Sequence, residues 1–220
     1  MAENFKMLAK TLFGFEDLLE RELRQLGAAN LKKGVRSVSF EGDKGFMYKA
    51  NLALRTAIKI LKPIHSFKIK TEQDLYDQIY KMPWEQYMKN TGTLAVSLTL
   101  NSNVFTHSQY ISLKTKDAIV DRFRDQTGER PNVDLRFPDL KINIHIDRNV
   151  CNVSLDTSGE SLHKRGYKTA TNIAPINEVL AAGLIILSGW DGQSDFMDPM
   201  CGSGTMLVEA AMIACNIPPN

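Results

Sequence analysis

The 220-residue chain is 43% hydrophobic and 24% charged, a globular balance compatible with one to two domains and silent on function. Its three cysteines (Cys151, Cys201, Cys215) include no Cys-x-x-Cys pair, which argues against a disulfide framework or a zinc site and fits a reducing cytoplasm; the most apolar run, 179–187, is far too short to span a bilayer. The net charge of +2 hides an asymmetry: residues 1–70 hold 14 Lys/Arg against 7 Asp/Glu (+7) and residues 171–220 hold 0 against 5 (−5), so a polyanion would be drawn to the first part and a protein or a cationic cofactor to the last.

Periodicity organises the chain into three parts, with no internal repeat or low-complexity segment. In the first, residues 6–11 read as a strand, 15–26 as an amphipathic helix closed by Gly27, 35–40 as an alternating strand, 44–56 as a second helix and 58–69 as extended chain. In the second, 72–87 is helical with a break at Pro83, and 93–100 alternates as a strand. A long helix over 108–125 is ended by Gly128 and Pro131, and 141–147 and 151–156 alternate around Arg148-Asn149, a hairpin turn. Residues 158–174 are polar, carry Gly159 and Gly166 with Pro175 just beyond, and read as a linker; 177–187 then reads as a helix. Trp84 and Trp190 are expected to fill core. The four histidines (His65, His107, His145, His163) are scattered without metal-ligand spacing, so no metal is expected.

The most specific motif comes near the end. Phe196 and Met197 read as a short strand with Asp198 at its carboxyl end, followed by Pro199, Met200, Cys201, Gly202, Ser203 and Gly204, with Thr205 as N-cap of an apolar helix over 206–215. Strand, glycine loop and helix in this order place free amides and a helix dipole against a ligand's negative group. The third glycine of a dinucleotide fingerprint is replaced by Leu207, and no Lys or Arg follows Lys168 to neutralise a triphosphate, so nicotinamide cofactors and nucleotide hydrolysis are disfavoured. S-adenosylmethionine fits better, because its carboxylate suits the amides and its cationic ammonium and sulfonium tolerate Asp198.

These residues, with Phe15-Glu16-Asp17-Leu18-Leu19, Asp74-Leu75-Tyr76, Trp84, the stretch from Asn103 to Tyr110, Lys114-Thr115-Lys116-Asp117-Ala118-Ile119-Val120, Arg130-Pro131-Asn132-Val133-Asp134, Leu155-Asp156-Thr157-Ser158-Gly159, His163-Lys164-Arg165-Gly166-Tyr167, Ala174-Pro175-Ile176 and Ser188-Gly189-Trp190, resemble one family over the whole chain. It is that of the THUMP-domain RNA methyltransferases, specifically the ribosomal RNA guanine methyltransferases of the RlmL type, once described as adenine-specific DNA methylases. The resemblance implies an α+β and α/β chain: a ferredoxin-like domain over 1–70, a THUMP RNA-binding domain over 71–158, a linker over 159–176, and the start of a Rossmann-type methyltransferase domain over 177–220. It implies S-adenosylmethionine as cofactor, with Asp198 to Thr205 as the cofactor loop, and structured, ribosomal RNA as partner.

The family's Asn/Asp-Pro-Pro-Tyr/Phe segment, which grips the target amine, has no counterpart here; Pro218-Pro219-Asn220 matches it only in composition. No catalytic residue is therefore expected in this chain, which reads as an inactive piece of a longer enzyme with weak or absent cofactor affinity. The competing reading is a THUMP module of another RNA-modifying enzyme, for tRNA methylation or thiolation. For RNA contact the candidates are Lys114, Lys116, Arg122 and Arg124 on the long helix, with Asp117 and Asp121 at pairing distance along it, and His163, Lys164, Arg165, Tyr167 and Lys168 in the linker, where an exposed tyrosine beside uninterrupted cations suits unpaired RNA.

Overall fold

The structure, a computed structural model, describes residues 3–103, 105–168 and 174–220. Two compact units divide it: Met1–Leu61 with Glu160–Asn220, and Lys62–Gly159. The first begins with β1 (Phe5–Lys10), α1 (Glu16–Leu26), β2 (Ala29–Gly34), β3 (Ser37–Gly42) and α2 (Lys44–Ala53), and takes the first three residues of β4 (Lys59–Lys68). Its strand order is β2-β3-β1-β4, antiparallel throughout. Gly27, at φ 98°, ends α1 as expected: only its backbone turns left-handed without cost, and the amide of Ala28 then reaches the Leu23 carbonyl at 2.9 Å. Asp43 caps α2 by accepting the Phe46 amide. Met7, Ala9, Leu19, Leu23, Val38, Phe40 and Ile60 form the core.

The second unit takes the rest of β4, then α3 (Glu72–Lys81), a 3-10 turn over Trp84–Gln86, β5 (Thr93–Asn101), α4 (Ser108–Thr127), the short β6 (Asn132–Val133), β7 (Leu140–Asp147) and β8 (Val150–Asp156). Its strand order is β4-β8-β7-β5-β6, with β5 parallel to β7 and β7 antiparallel to β8 through the Arg148-Asn149 turn. Thr71 and Asp74 build a capping box at the start of α3, Pro83 stops that helix, and Trp84 then enters the core with its indole N–H on the Ile79 carbonyl at 2.7 Å.

The first unit is completed by α5 (Glu178–Leu187) and α6 (Thr205–Ala214), which pack together, with Phe15, Leu18 and Val179 as a small core between α1 and α5. Leu162 sits in the core of the β-sheet, and its amide donates to the Ile58 carbonyl at 2.9 Å. Residues 160–168, expected as linker, are therefore packed chain of the first unit; 169–173 of that expected linker lie outside the described residues.

Candidate cofactor loop and its buried anchor

Two features of the loop differ from the sequence expectation. No strand forms at Phe196-Met197, because no described strand lies beside it to supply a ladder; Phe196 instead packs on Trp190 with ring centroids 5.0 Å apart. The helix cap is Gly204 at φ 74°, not Thr205, which is the first helical residue and is buried. The loop itself is a sequence of tight turns: Asp198 accepts the Met200 amide at 3.0 Å, and the Gly204 amide donates to the Cys201 carbonyl at 2.7 Å. Gly202 (φ 54°) and Gly204 are both left-handed, and a Cβ on either would meet nothing within 4 Å. The backbone is thus presented bare to open space at the start of α6, whose first amides lack carbonyl partners within the helix. Met200 and Cys201 are exposed beside it.

One turn into α6, Glu209 is fully buried, and sequence reading did not single it out. The signal was present: a lone carboxylate in the apolar run Met206–Cys215 has no place in a core unless it is paired. Arg165 supplies the pair, its Nε 3.4 Å from Glu209 Oε1, with side chains 1% and 0% exposed. The guanidinium also donates to the carbonyls of Leu162 and Arg55, both at 2.6 Å, and to Asn220 Oδ1 at 3.1 Å, while the Tyr167 hydroxyl donates to Glu209 at 3.1 Å. Arg55 in turn donates to the carbonyls of Met212 and Ile217. Behind it, Glu22 accepts the amides of Arg55 and Thr56 and the Thr56 hydroxyl. A buried polar network therefore runs from α1 to α6, the helix behind the candidate cofactor loop.

This corrects two of the RNA candidates: Arg165 is an internal anchor whose donors are already used, and Tyr167 is a half-buried hydrogen-bond donor, not an exposed stacking ring. Lys168 is likewise engaged, 2.8 Å from the buried Glu178 and donating to the Ile176 carbonyl. His163 and Lys164 remain on an open cleft of about 520 Å³ that Gly166, Lys168, Pro175 and Asn177 also line; His163 meets Ser161 at 2.8 Å, and Lys164 holds an exposed contact to Glu160 at 3.5 Å.

Burial raises the Glu209 carboxyl above the ordinary value of 4.5 against the pull of Arg165, and burial likewise raises Glu22 against its hydrogen bonds from Thr56 and Arg55. A carboxyl raised on folding contributes stability that is complete below its unfolded value and is lost as pH rises through the folded one. Replacing Glu209 with glutamine removes one such loss, so the melting temperature of E209Q is expected to fall less than the parent's as pH rises above about 5. Parallel melting curves would contradict this.

Three family models match in order along the chain: the RlmL ferredoxin-like domain over 6–61, the THUMP domain over 69–156, and the RMKL-like methyltransferase domain over 165–220. The chain belongs to the RlmL-type THUMP methyltransferases. A ribosomal RNA large subunit methyltransferase K/L of Syntrophotalea carbinolica is 41% identical over 97% of this chain and 31% of its own length. Among solved structures, a predicted N6-adenine-specific DNA methylase of Listeria monocytogenes has a TM-score of 0.85 at 32% identity over 99% of this chain and 57% of its own. SMU.472, assigned as a methyltransferase and solved with SAH, has a TM-score of 0.85 at 33% identity over 100% of this chain and 58% of its own. The chain thus spans about a third of the K/L relative and somewhat over half of the two solved proteins.

Within the THUMP domain, the four α4 candidates all have partners. Arg122 grips Glu85 through Nε (3.0 Å) and Nη2 (2.8 Å) and donates to the Tyr80 carbonyl, joining α4 to the segment after α3. That makes Arg122 a packing residue and corrects a further RNA candidate. Lys114 lies over the Tyr76 ring and donates to Gln73, Lys116 meets Asp117 at 2.5 Å, and Arg124 meets Asp121 at 3.0 Å. Exposed pairs of this kind are worth about 0–1 kcal/mol and exchange readily for a phosphate, so Lys114, Lys116 and Arg124 keep that capacity. Among the described residues, no three His, Cys, Asp or Glu side chains are placed to hold a metal ion, and no helix is long and apolar enough to cross a membrane.

Proposed function

We propose that this chain is the RNA-binding and cofactor-loop portion of an S-adenosylmethionine-dependent methyltransferase acting on a guanine exocyclic amine of large-subunit ribosomal RNA. The observation that carries this reading is the bare left-handed turn at Gly202 and Gly204 opening onto the start of α6, in a chain that also holds a THUMP domain. S-adenosylmethionine, when bound, supplies an electrophilic methyl group. The chain's part is to hold it: the amides at the start of α6 suit its carboxylate, the bare glycine backbone admits it, and Asp198 suits its positive charge. The name of the K/L relative supports ribosomal RNA as substrate, and the SAH bound to SMU.472 supports the cofactor. A DNA substrate would give the THUMP domain no role, and a thiolation enzyme would have no use for this loop.

The test is binding of a labelled hairpin of large-subunit ribosomal RNA across a salt series, with S-adenosylmethionine titrated calorimetrically into the same sample. Affinity that falls steeply with salt is expected, together with weak or no cofactor heat and no methyl transfer by the chain alone. Absence of RNA binding at low salt would reject the reading.

A further inference from the structure

Two exposed apolar side chains of the ferredoxin-like domain stand on loops that are clasped together. Phe13, 78% exposed, follows β1; Val35, 77% exposed, is in the turn between β2 and β3. Glu16 joins the loops, accepting the Gly14 amide on one oxygen and the Arg36 amide on the other, each at 2.8 Å, and the Thr11 amide donates to the Arg36 carbonyl at 3.0 Å. Arg36 is held at φ 53°, where glycine or asparagine would sit more easily, so its side chain is displayed at some backbone cost. Lys10, the last residue of β1, is half-buried, and its ammonium is lowered first by burial and then by the like charge of Arg36. Glu16 spends its two oxygens on the amides of Gly14 and Arg36, Asp17 meets Lys33 at 2.5 Å, and among the described residues neither Lys10 nor Arg36 forms an ion pair.

We propose that Lys10, Phe13, Val35 and Arg36 form an RNA contact site, in which Lys10 and Arg36 share a backbone phosphate and an unpaired base lies on Phe13. Two like charges held close, with no carboxylate at ion-pair distance from either head, favour an anion between them, and a flanking aromatic ring gives any base a surface to stack on. An apolar protein partner would leave the two cations desolvated and unpaired. The inference rests on the reading of the chain as RNA-binding.

Both side chains can be removed without touching the core. Arg36→Gly is expected to keep or raise the melting temperature, because it relieves the left-handed backbone, while weakening binding of a labelled hairpin RNA several-fold and lowering the log–log salt slope by about one. Phe13→Ala is expected to leave the melting temperature unchanged and weaken binding of the hairpin, with its unpaired loop, by roughly 5- to 100-fold, and that of a fully paired duplex much less. Tyr48→Ala, at another exposed ring of the same domain, serves as the control and should bind as the parent does. If the parent binds RNA with salt dependence and both variants bind equally well, the site is overturned while the RNA reading stands, and the patch becomes a candidate protein contact. If the parent binds no RNA, both fail together.

Discussion

Gly183→Ala is expected to destabilise the first unit by about 2 kcal/mol, although alanine is the better helix former. A Cβ at position 183 would lie 2.1 Å from Phe15 Cε2 and 2.4 Å from Cζ, far inside contact distance. The ring cannot step aside freely, since Phe15 is itself buried against Leu18 and Val179. Alanine gains about 1 kcal/mol of helix propensity, and overpacking of this severity costs roughly 3 kcal/mol, so the clash wins. Urea denaturation of the parent, Gly183→Ala, Phe15→Leu and the double variant would measure this. The alanine should cost much less once the ring is gone, and a coupling energy near zero would mean that α1 and α5 do not approach this closely. Because α5 belongs to the stretch leading into the candidate cofactor loop and Phe15 precedes α1, the contact ties that stretch to the ferredoxin-like domain.

Arg165→Met is expected to have the larger effect, a loss of about 3–5 kcal/mol, because it leaves the Glu209 carboxylate buried without its cation. The carbonyls of Leu162 and Arg55 lose their guanidinium donors at the same time. A domain's whole stability is about 5–15 kcal/mol, so this single change should leave the first unit partly unfolded near 37 °C. Pairing it with Glu209→Leu removes the stranded charge and should restore most of the stability. The folded double variant then separates the two roles given to Arg165. If it anchors α6, the variant binds hairpin RNA with the parent's salt slope; a slope reduced by about one would mean that Arg165 meets a phosphate after all.

The helices were legible wherever a local rule ended or began them. Gly27 and Gly128 close α1 and α4 in left-handed turns, Pro83 stops α3, and the alternation of β7 and β8 around Arg148-Asn149 is that of a hairpin with one face buried. The strand β2 was not legible: Ala29–Gly34 is an edge strand exposed at nearly every position, so its sequence carries no apolar alternation. The strand expected at Phe196-Met197 failed for the opposite reason, since apolar composition suggests a strand but only a neighbour's hydrogen bonds make one.

The sequence by itself determined the family and the glycine turn before α6, because a turn that uses two left-handed glycines before a helix is a local demand, met by Gly202 and Gly204 whatever surrounds them. It could not decide which cations face RNA. Arg165, Lys168 and Arg122 read as basic surface, yet their partners Glu209, Glu178 and Glu85 are 44, 10 and 37 residues away along the chain. Charge is a property of the residue, whereas its availability depends on what the fold places within about 4 Å of it. Only the tertiary structure brings Arg165 under α6, and only it sets Lys10, at the end of β1, opposite Ser37 and so beside Arg36.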